Sequence, residues 1–254
     1  MTKVTLIGGP TALIDIDGFT ILTDPTFDAP GEYPIPGGVL VKQDGPAIAA
    51  GDLPVVDAVT LSHAHHPDNL DTAGAAVVGT AGTVLGDAMA KDQIGHVTAL
   101  APWESVTVTG STGSDVTFTA VPARHGPVGC EEITGTVSGF VVESANAGTV
   151  YISGDNAALE LVDEIAQRFP EVRLAVLFTG AARVGLFDNA PLTLTAEMAA
   201  EAAAKWPNAS VFPVHSEGWA HFSEDRQLLV SAFDAAGIGS RLVLVAPGES
   251  ATIA

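Results

Sequence analysis

Cysteine is nearly missing: Cys130 stands alone in 254 residues, which rules out an intramolecular disulfide. No base neighbours it in sequence, and it is given no role. Basic residues are almost as scarce, 10 against 30 acidic, for a formal net charge of −20. Lys3, Lys42, Lys91 and Lys205 are scattered, as are the arginines. No patch is therefore present to hold nucleic acid or anionic lipid, and the overall field repels both. The acidity itself reads as a solubility feature. No run approaches the roughly 20 apolar residues that cross a bilayer. The opening Met-Thr-Lys-Val-Thr-Leu-Ile-Gly-Gly-Pro lacks the apolar core and cleavage site of a secretory leader, so a cytoplasmic location is the expectation. Charged residues make up only 16% and apolar ones 47%. Such a chain can bury a large core, and one α/β domain over residues 1–254 is expected. No repeat, low-complexity tract or linker divides it.

What the chain does have is a local crowd of histidine. Leu61-Ser-His-Ala-His-His-Pro-Asp-Asn-Leu-Asp71 places three imidazoles and two carboxylates within nine positions, directly after the apolar run Val55–Leu61. A short apolar run of this kind reads as a buried strand, so the cluster lies where a strand gives way to a loop. That is where α/β sheets carry chemistry. Imidazoles and carboxylates this dense repel one another when charged and are costly to bury unpaired. A divalent metal resolves the conflict by taking neutral His nitrogens and ionised carboxylates as ligands. The plainer alternative is a His-rich surface loop.

Patterning along the chain predicts an opening meander whose hairpin turns at Asp17-Gly18 and whose third strand, Phe19–Thr23, ends on Asp24. Residues 27–54 are rich in Pro and Gly and aperiodic, and are read as a loop forming a rim or lid. Between Leu70 and Met89 the expectation is a short helix, a strand over 75–77 and a helix near Gly86–Ala90. Strands follow at His96–Leu100, Ser105–Thr109 and Asp115–Val121, the last running into His125. A further pair, Thr136–Glu143 and Thr149–Ile152, runs into Asp155. Ala157–Phe169 is an amphipathic helix with Leu161, Ile165 and Phe169 four apart. Arg173–Phe178 is a buried strand, and Thr195–Trp206 a helix capped by Thr193 or Thr195. Strand Ser210–Val214 delivers His215 and then His221. Helix Asp225–Ala236 and a closing strand, Arg241–Val245, complete the chain.

Four separated strand ends thus each deliver a group of metal-ligand type: the cluster at 63–68, His125, Asp155 and His215. Catalytic zinc takes three protein ligands and keeps a position open; a two-metal site needs about twice that number. The inventory suits either.

The ordered set Leu-Ile-Gly-Gly-Pro, Ile-Leu-Thr-Asp24-Pro, Leu-Ser-His-Ala-His, Val-Pro-Ala-Arg-His125-Gly-Pro, Tyr-Ile-Ser-Gly-Asp155-Asn and Pro-Val-His215-Ser-Glu-Gly-Trp-Ala-His221-Phe resembles the metallo-β-lactamase superfamily. Within it, the likeness is to the L-ascorbate-6-phosphate lactonase-like branch. The resemblance implies a four-layer αββα sandwich with a metal site at one edge, between the sheets. It also implies a metal-activated water attacking a small ester, lactone, amide or phosphodiester. The first motif departs from the family's His-x-His-x-Asp-His. Either His63 and His65 keep their spacing with an insertion after them, or His66-Pro-Asp68-Asn69 keeps the later spacing with Asn69 in place of the last His. Asn is a weaker zinc ligand than imidazole, so one- and two-ion sites both stand.

The ligand candidates are His63, His65, His66, Asp68, His125, Asp155 and His215, holding one or two Zn2+ ions, with Mn2+ or Fe2+ as alternatives. Asp68 is also a candidate to orient or deprotonate water; its plainer role is a helix N-cap. His221 is a candidate oxyanion donor, or a ring packed on Phe222. Asp24 is expected to accept from a ligand His and set its tautomer. Arg124 and Arg183 lie near the site loops, where surface solvation competes with binding an anionic substrate group. His96 is read as structural. The expectation is a metallo-hydrolase of a small molecule. A lapsed relative that only binds, or a redox member using iron or manganese, is the alternative.

Overall fold

The computed structural model describes residues 1–36 and 38–253. In chain order the elements are β1 (Thr2–Gly8), β2 (Thr11–Ile16), β3 (Phe19–Thr23), β4 (Gly31–Ile35), β5 (Gly38–Lys42), β6 (Ala58–Thr60), α1 (Thr72–Val78), β7 (Thr83–Gly86), α2 (Ala88–Ile94), β8 (Thr98–Ala99) and β9 (Ser105–Thr109). They continue with β10 (Asp115–Ala123), α3 (Glu131–Thr134), β11 (Val137–Ser144), β12 (Gly148–Ile152), α4 (Leu159–Arg168), β13 (Val172–Phe178), α5 (Ala196–Ala204), β14 (Ser210–Val214), α6 (Arg226–Ala235) and β15 (Ser250–Ile253). Seven strands form one sheet in the order β15-β1-β2-β3-β6-β7-β8, and six form a second in the order β14-β13-β12-β11-β10-β9. β4 and β5 make a separate hairpin.

Strands apolar on both parities are covered on both faces, and that pattern builds the layers. Val4 and Leu6, Ala12 and Ile14, and Phe19 and Ile21 point from the first sheet into the central interface. Phe118, Phe140, Ile152, Val176 and Phe212 meet them from the second sheet, with Phe19 and Phe118 in ring contact at 5.8 Å. The opposite parity of the second sheet, including Val141, Tyr151 and Leu177, packs under α4, α5 and α6. Leu13, Leu22, Val59 and Val84 pack with Val78 of α1 and Ala90 of α2 on the other side. The result is the αββα sandwich, with one apolar interface for each pair of adjacent layers.

Three expectations need correction. Residues 75–77, read as a strand, lie in helix α1, because Asp71 caps it by accepting from Gly74 N at 2.8 Å; the strand comes later, as β7. Arg241–Val245 is not a closing strand. Its composition suits one, but Leu242 makes only an isolated bridge to Val211. The last strand is β15, which covers the free edge of β1 with Thr2 opposite Ile253. The stretch 27–54, which includes residue 37 outside the described set, is not wholly irregular, since it contains the β4–β5 hairpin. Its Pro and Gly residues hide the short alternation Val39-Leu40-Val41-Lys42.

Candidate metal centre

β3 and β6 run parallel, as do β12, β13 and β14. β10 joins the same direction through the antiparallel β11. Their carboxyl ends therefore collect along one edge of the sandwich and deliver Asp24, His63, His125, Asp155 and His215. The loop from β6 to α1 adds His65, His66, Asp68 and Asn69, and the segment after β14 adds His221. The backbone is bent sharply here: Asp24 has φ +30° and His215 φ +57°, conformations rare for side-chain-bearing residues and concentrated at functional sites. Gly154 has φ +57°, and a Cβ there would meet Ser138 O at 2.5 Å and Ser62 Cβ at 2.8 Å. Only glycine lets the Asp155 turn approach the Ser62–His63 strand end.

Three sets bring potential ligand atoms within 4.8 Å of one another: His63, His65 and His66; His63, His125 and Asp155; and Asp68, Asp155 and His215. His125 Nε2 lies 3.5 Å from Asp155 Oδ2, and His215 Nε2 lies 3.5 Å from Asp155 Oδ1 and 3.4 Å from Asp68 Oδ2. These gaps are long for hydrogen bonds. They match the edge of about 3.3 Å between donors in a tetrahedron with metal–ligand bonds of about 2.0–2.1 Å. Asp155 Oδ2 and His215 Nε2 are buried without a hydrogen-bond partner. Asp24, Asp68 and Asp155 are all buried, and among the described residues none pairs with a Lys or Arg. Buried anions and lone pairs left facing one another are the donor set a cation would satisfy.

Hydrogen bonds fix which nitrogens are free. Ser62 Oγ donates to Asp24 Oδ1 at 3.0 Å and lies 2.9 Å from His63 Nδ1. The hydroxyl therefore accepts from His63 Nδ1 and leaves Nε2 as the lone pair. Asp24 thus acts on His63 through Ser62, not directly as expected. His63 Nε2 is 2.8 Å from His66 Nδ1. His125 Nδ1 donates to Leu192 O at 2.8 Å, freeing its Nε2. His65 Nε2 donates to Thr134 O at 2.8 Å, leaving only Nδ1 available. Both neighbours left open by the sequence pack on His63, with ring centroids 4.7 Å away, but His66 is the one whose nitrogen lies within hydrogen-bonding distance of it. Asn69 Nδ2 donates to Asp155 Oδ1 at 3.2 Å and Ser62 Oγ at 3.3 Å, so it steadies the carboxylate.

The protonation states follow from burial and neighbours. Burial, then His66, His125 and His65, hold His63 well below the ordinary imidazole range, and His66 is lowered to about 4, mainly by burial. Burial works against ionisation of Asp68, but hydrogen bonds and charge from His215 and His221 outweigh it and keep the carboxyl well below the usual range. Burial also works against protonation of His215, which Asp155 and Asp68 nonetheless raise. Burial and then Asp155 push Asp24 upward.

Asp68 is not the helix cap; Asp71 is. His221 Nε2 lies 2.9 Å from Asp68 Oδ2, and Phe222 also packs on its ring at 4.6 Å. His96 stands apart, with Nε2 3.3 Å from Val78 O. Arg124 is engaged by Glu160 and Gly126 O. Arg183 donates to Ser223 Oγ and Asn189 O. The sequence reading missed Ser62, although a hydroxyl beside the first His of a strand-end cluster was a usable signal. It also missed the buried pair Lys42–Asp71, at 3.0 Å.

Residues 20–216 match the family described as the Beta-lactamase superfamily domain. The structure is similar to that of an isothiocyanate hydrolase from Delia radicum gut bacteria, with TM-score 0.82 and 22% identity, covering 99% of this chain and 98% of that one. It is also similar to a protein of Veillonella parvula DSM 2008 described as a possible metal-dependent hydrolase, with TM-score 0.83 and 21% identity over 100% of both chains. At such identities these likenesses speak for the fold. An uncharacterised protein of Mycobacterium tuberculosis is 40% identical over 70 residues, 27% of this chain and only 18% of that longer protein. The family match and the strand-end cluster together place the chain in the metallo-β-lactamase superfamily.

Proposed function

We propose that this enzyme of the metallo-β-lactamase superfamily is a metal-dependent hydrolase that adds water to an electrophilic carbon of a small molecule. The observation that carries the reading is the convergence of His63, His66 and Asp68 from the end of β6 with His125, Asp155 and His215 from three other strand ends, Asp155 Oδ2 and His215 Nε2 being buried among them without a partner. We assign His63, His66, His125 and Asp155 to one cation position and Asp68, Asp155 and His215 to a second, with His65 as a reserve donor through Nδ1. A divalent ion held by these groups supplies Lewis acidity, making water acidic near neutrality and polarising a carbonyl-type carbon.

The remaining work falls to the chain. Asp68 stays anionic, so the proton between it and His221 belongs to His221 Nε2, and His221 Nδ1 carries the lone pair. That atom is buried without a partner, and His221 lines the cavity over the site. His221 is thus a candidate both to donate to the developing oxyanion and to pass a proton to the leaving group. Asp68 orients the ring and stabilises its charged form. Candidate substrates are lactones, esters and amides, the lactonase-like reading being one of these, and isothiocyanates, the compound class named for the Delia radicum protein.

Asn69 favours a second reading in part. Without an imidazole there, the Asp68 position is oxygen-rich, which suits iron or manganese more than zinc. Metal analysis of the purified protein, with turnover of a lactone, ester, amide and isothiocyanate panel, tests both. Wild type is expected to carry bound metal and hydrolyse at least one class. His63→Ala and Asp155→Ala should lose metal and at least about 100-fold in kcat/KM. A fully active, metal-free His63→Ala protein would refute the proposal.

A further inference from the structure

Above the metal-ligand cluster lies a cavity of about 280 Å³ whose floor includes His66, Asp68, His125 and His221. Its walls include Ile35, Pro36 and Leu40 from the hairpin, Ile133 from α3, and Val184 and Leu186 from the segment before α5. No Lys or Arg side chain lines it among the described residues. The nearest cations are occupied elsewhere: Lys42 by Asp71, Arg124 by Glu160 and Arg183 by Ser223 and Asn189.

The cavity continues into a groove of about 340 Å³ that shares Ile35, Leu40, Val184, Leu186 and His221 and adds Val39, Val41 and, at its rim, Arg183. Exposed large apolar side chains collect along this path. Ile133 is 61% exposed, Val39 51%, Val41 39%, Leu186 38% and Val184 37%. On a chain of net charge −20, such a run of aliphatic surface marks a binding face. Its outer bank is a turn in which Phe187, Asp188 and Asn189 all have positive φ, from +52° to +62°, and Arg183 donates to Asn189 O.

We infer that the substrate is uncharged and carries an apolar alkyl or aryl tail, and that Ile133, Val184 and Leu186, with Ile35 and Leu40 opposite, determine its specificity. Resting on the hydrolase reading, this deepens it: the reactive carbon lies over Asp68 and His221, and the tail runs outward between the hairpin and the 183–189 turn. The inner cavity has no Lys or Arg in its lining, and Arg183 in the groove already donates to Ser223 and Asn189. With these, the net charge of −20 disfavours substrates with a phosphate or carboxylate on the tail, a phosphorylated lactone included.

The experiment uses the full-length protein as purified, with whatever metal it holds. Methyl-resolved NMR titrations with neutral methyl ketones, from acetone to methyl heptyl ketone, read binding without turnover. Affinity is expected to rise up to about fourfold per added methylene until the groove is filled, with shifts at the Ile133, Val184 and Leu186 methyls. Leu186→Asp and Ile133→Asp, both at exposed positions, should weaken the longest ketone at least tenfold and leave acetone unchanged. Ketones ending in a carboxylate should bind at least tenfold more weakly than neutral ones of equal length. An affinity flat with chain length, or carboxylate-ended ketones binding as well as neutral ones, overturns the inference. Hydrolysis of p-nitrophenyl alkanoates of matching length is scored separately. A steep ketone series without turnover of any ester, lactone, amide or isothiocyanate sinks the hydrolase reading alone; turnover with a flat series sinks this inference alone.

Discussion

Ser62 carries one hydroxyl and decides the tautomer of His63. Its proton goes to Asp24, so it can only accept from His63 Nδ1, and the His63 Nε2 lone pair faces His66 and the candidate cation position. His66 shows the same logic in its titration. Burial, reinforced by His125 and His65 and opposed by Asp68, lowers it to about 4 from the ordinary 6.5. Below 6.5 the unfolded chain binds a proton there that the folded chain refuses until about 4, so this residue withdraws stability as pH falls through that window. In metal-free protein, the stability of wild type relative to His66→Gln should fall by a total of about 3 kcal/mol from about pH 7 to about pH 4, measured by urea unfolding. Identical pH dependences would show that the ring is not held neutral. His63, His125, Asp155 and His215 were legible as candidates because each follows a strand of apolar alternation. The different engagement of His65 and His66 was not, because it turns on Thr134 O, a backbone acceptor 69 residues from His65.

The hairpin β4–β5 carries a buried ion pair to the rest of the fold. Lys42 Nζ donates to Asp71, which also accepts from Phe27 N, Asp28 N and Gly74 N. Lys42 further lies over the Trp219 ring at 5.5 Å, and Ala220 N donates to Val41 O at 2.9 Å. A single ammonium thus ties the cavity's upper wall to the cap of α1 and to the segment carrying His221. Removing one partner of a buried pair commonly costs 3–5 kcal/mol. The three backbone donors left to Asp71 put Lys42→Met near the lower end, about 3 kcal/mol, read from its urea midpoint against wild type. A loss under about 1 kcal/mol would mean the hairpin is held by its apolar contacts alone. Elements with clear periodicity, such as α4, α5, β10 and β13, were legible from the sequence. The hairpin was not: Lys42 looks like any surface lysine until its partner 29 positions away is known.

At the scale of the whole chain, 30 acidic side chains face 10 basic ones, so most surface carboxylates have no partner. Folding packs that charge together, and the self-repulsion it creates is relieved by salt. The melting temperature should rise by several degrees as NaCl is raised to about 0.5 M, where the Debye length is below about 8 Å, followed by calorimetry at constant pH. A falling melting temperature would mean that specific ion pairs outweigh the general repulsion. The four layers were foreseeable from the ordered motifs, and the family match and the fold agree with them. The partner of β1 was not foreseeable, because Ser250–Ile253 is too short and too small to stand out against the more strand-like Arg241–Val245.

His215 takes up left-handed backbone at the end of β14, and besides glycine the residues that tolerate this most readily are asparagine and aspartate. Asparagine there would suit the backbone, but it would remove an imidazole that packs between Phe178 and Phe222 and lies beside Asp68 and Asp155. Backbone geometry alone therefore does not select histidine at this position; its buried neighbours do.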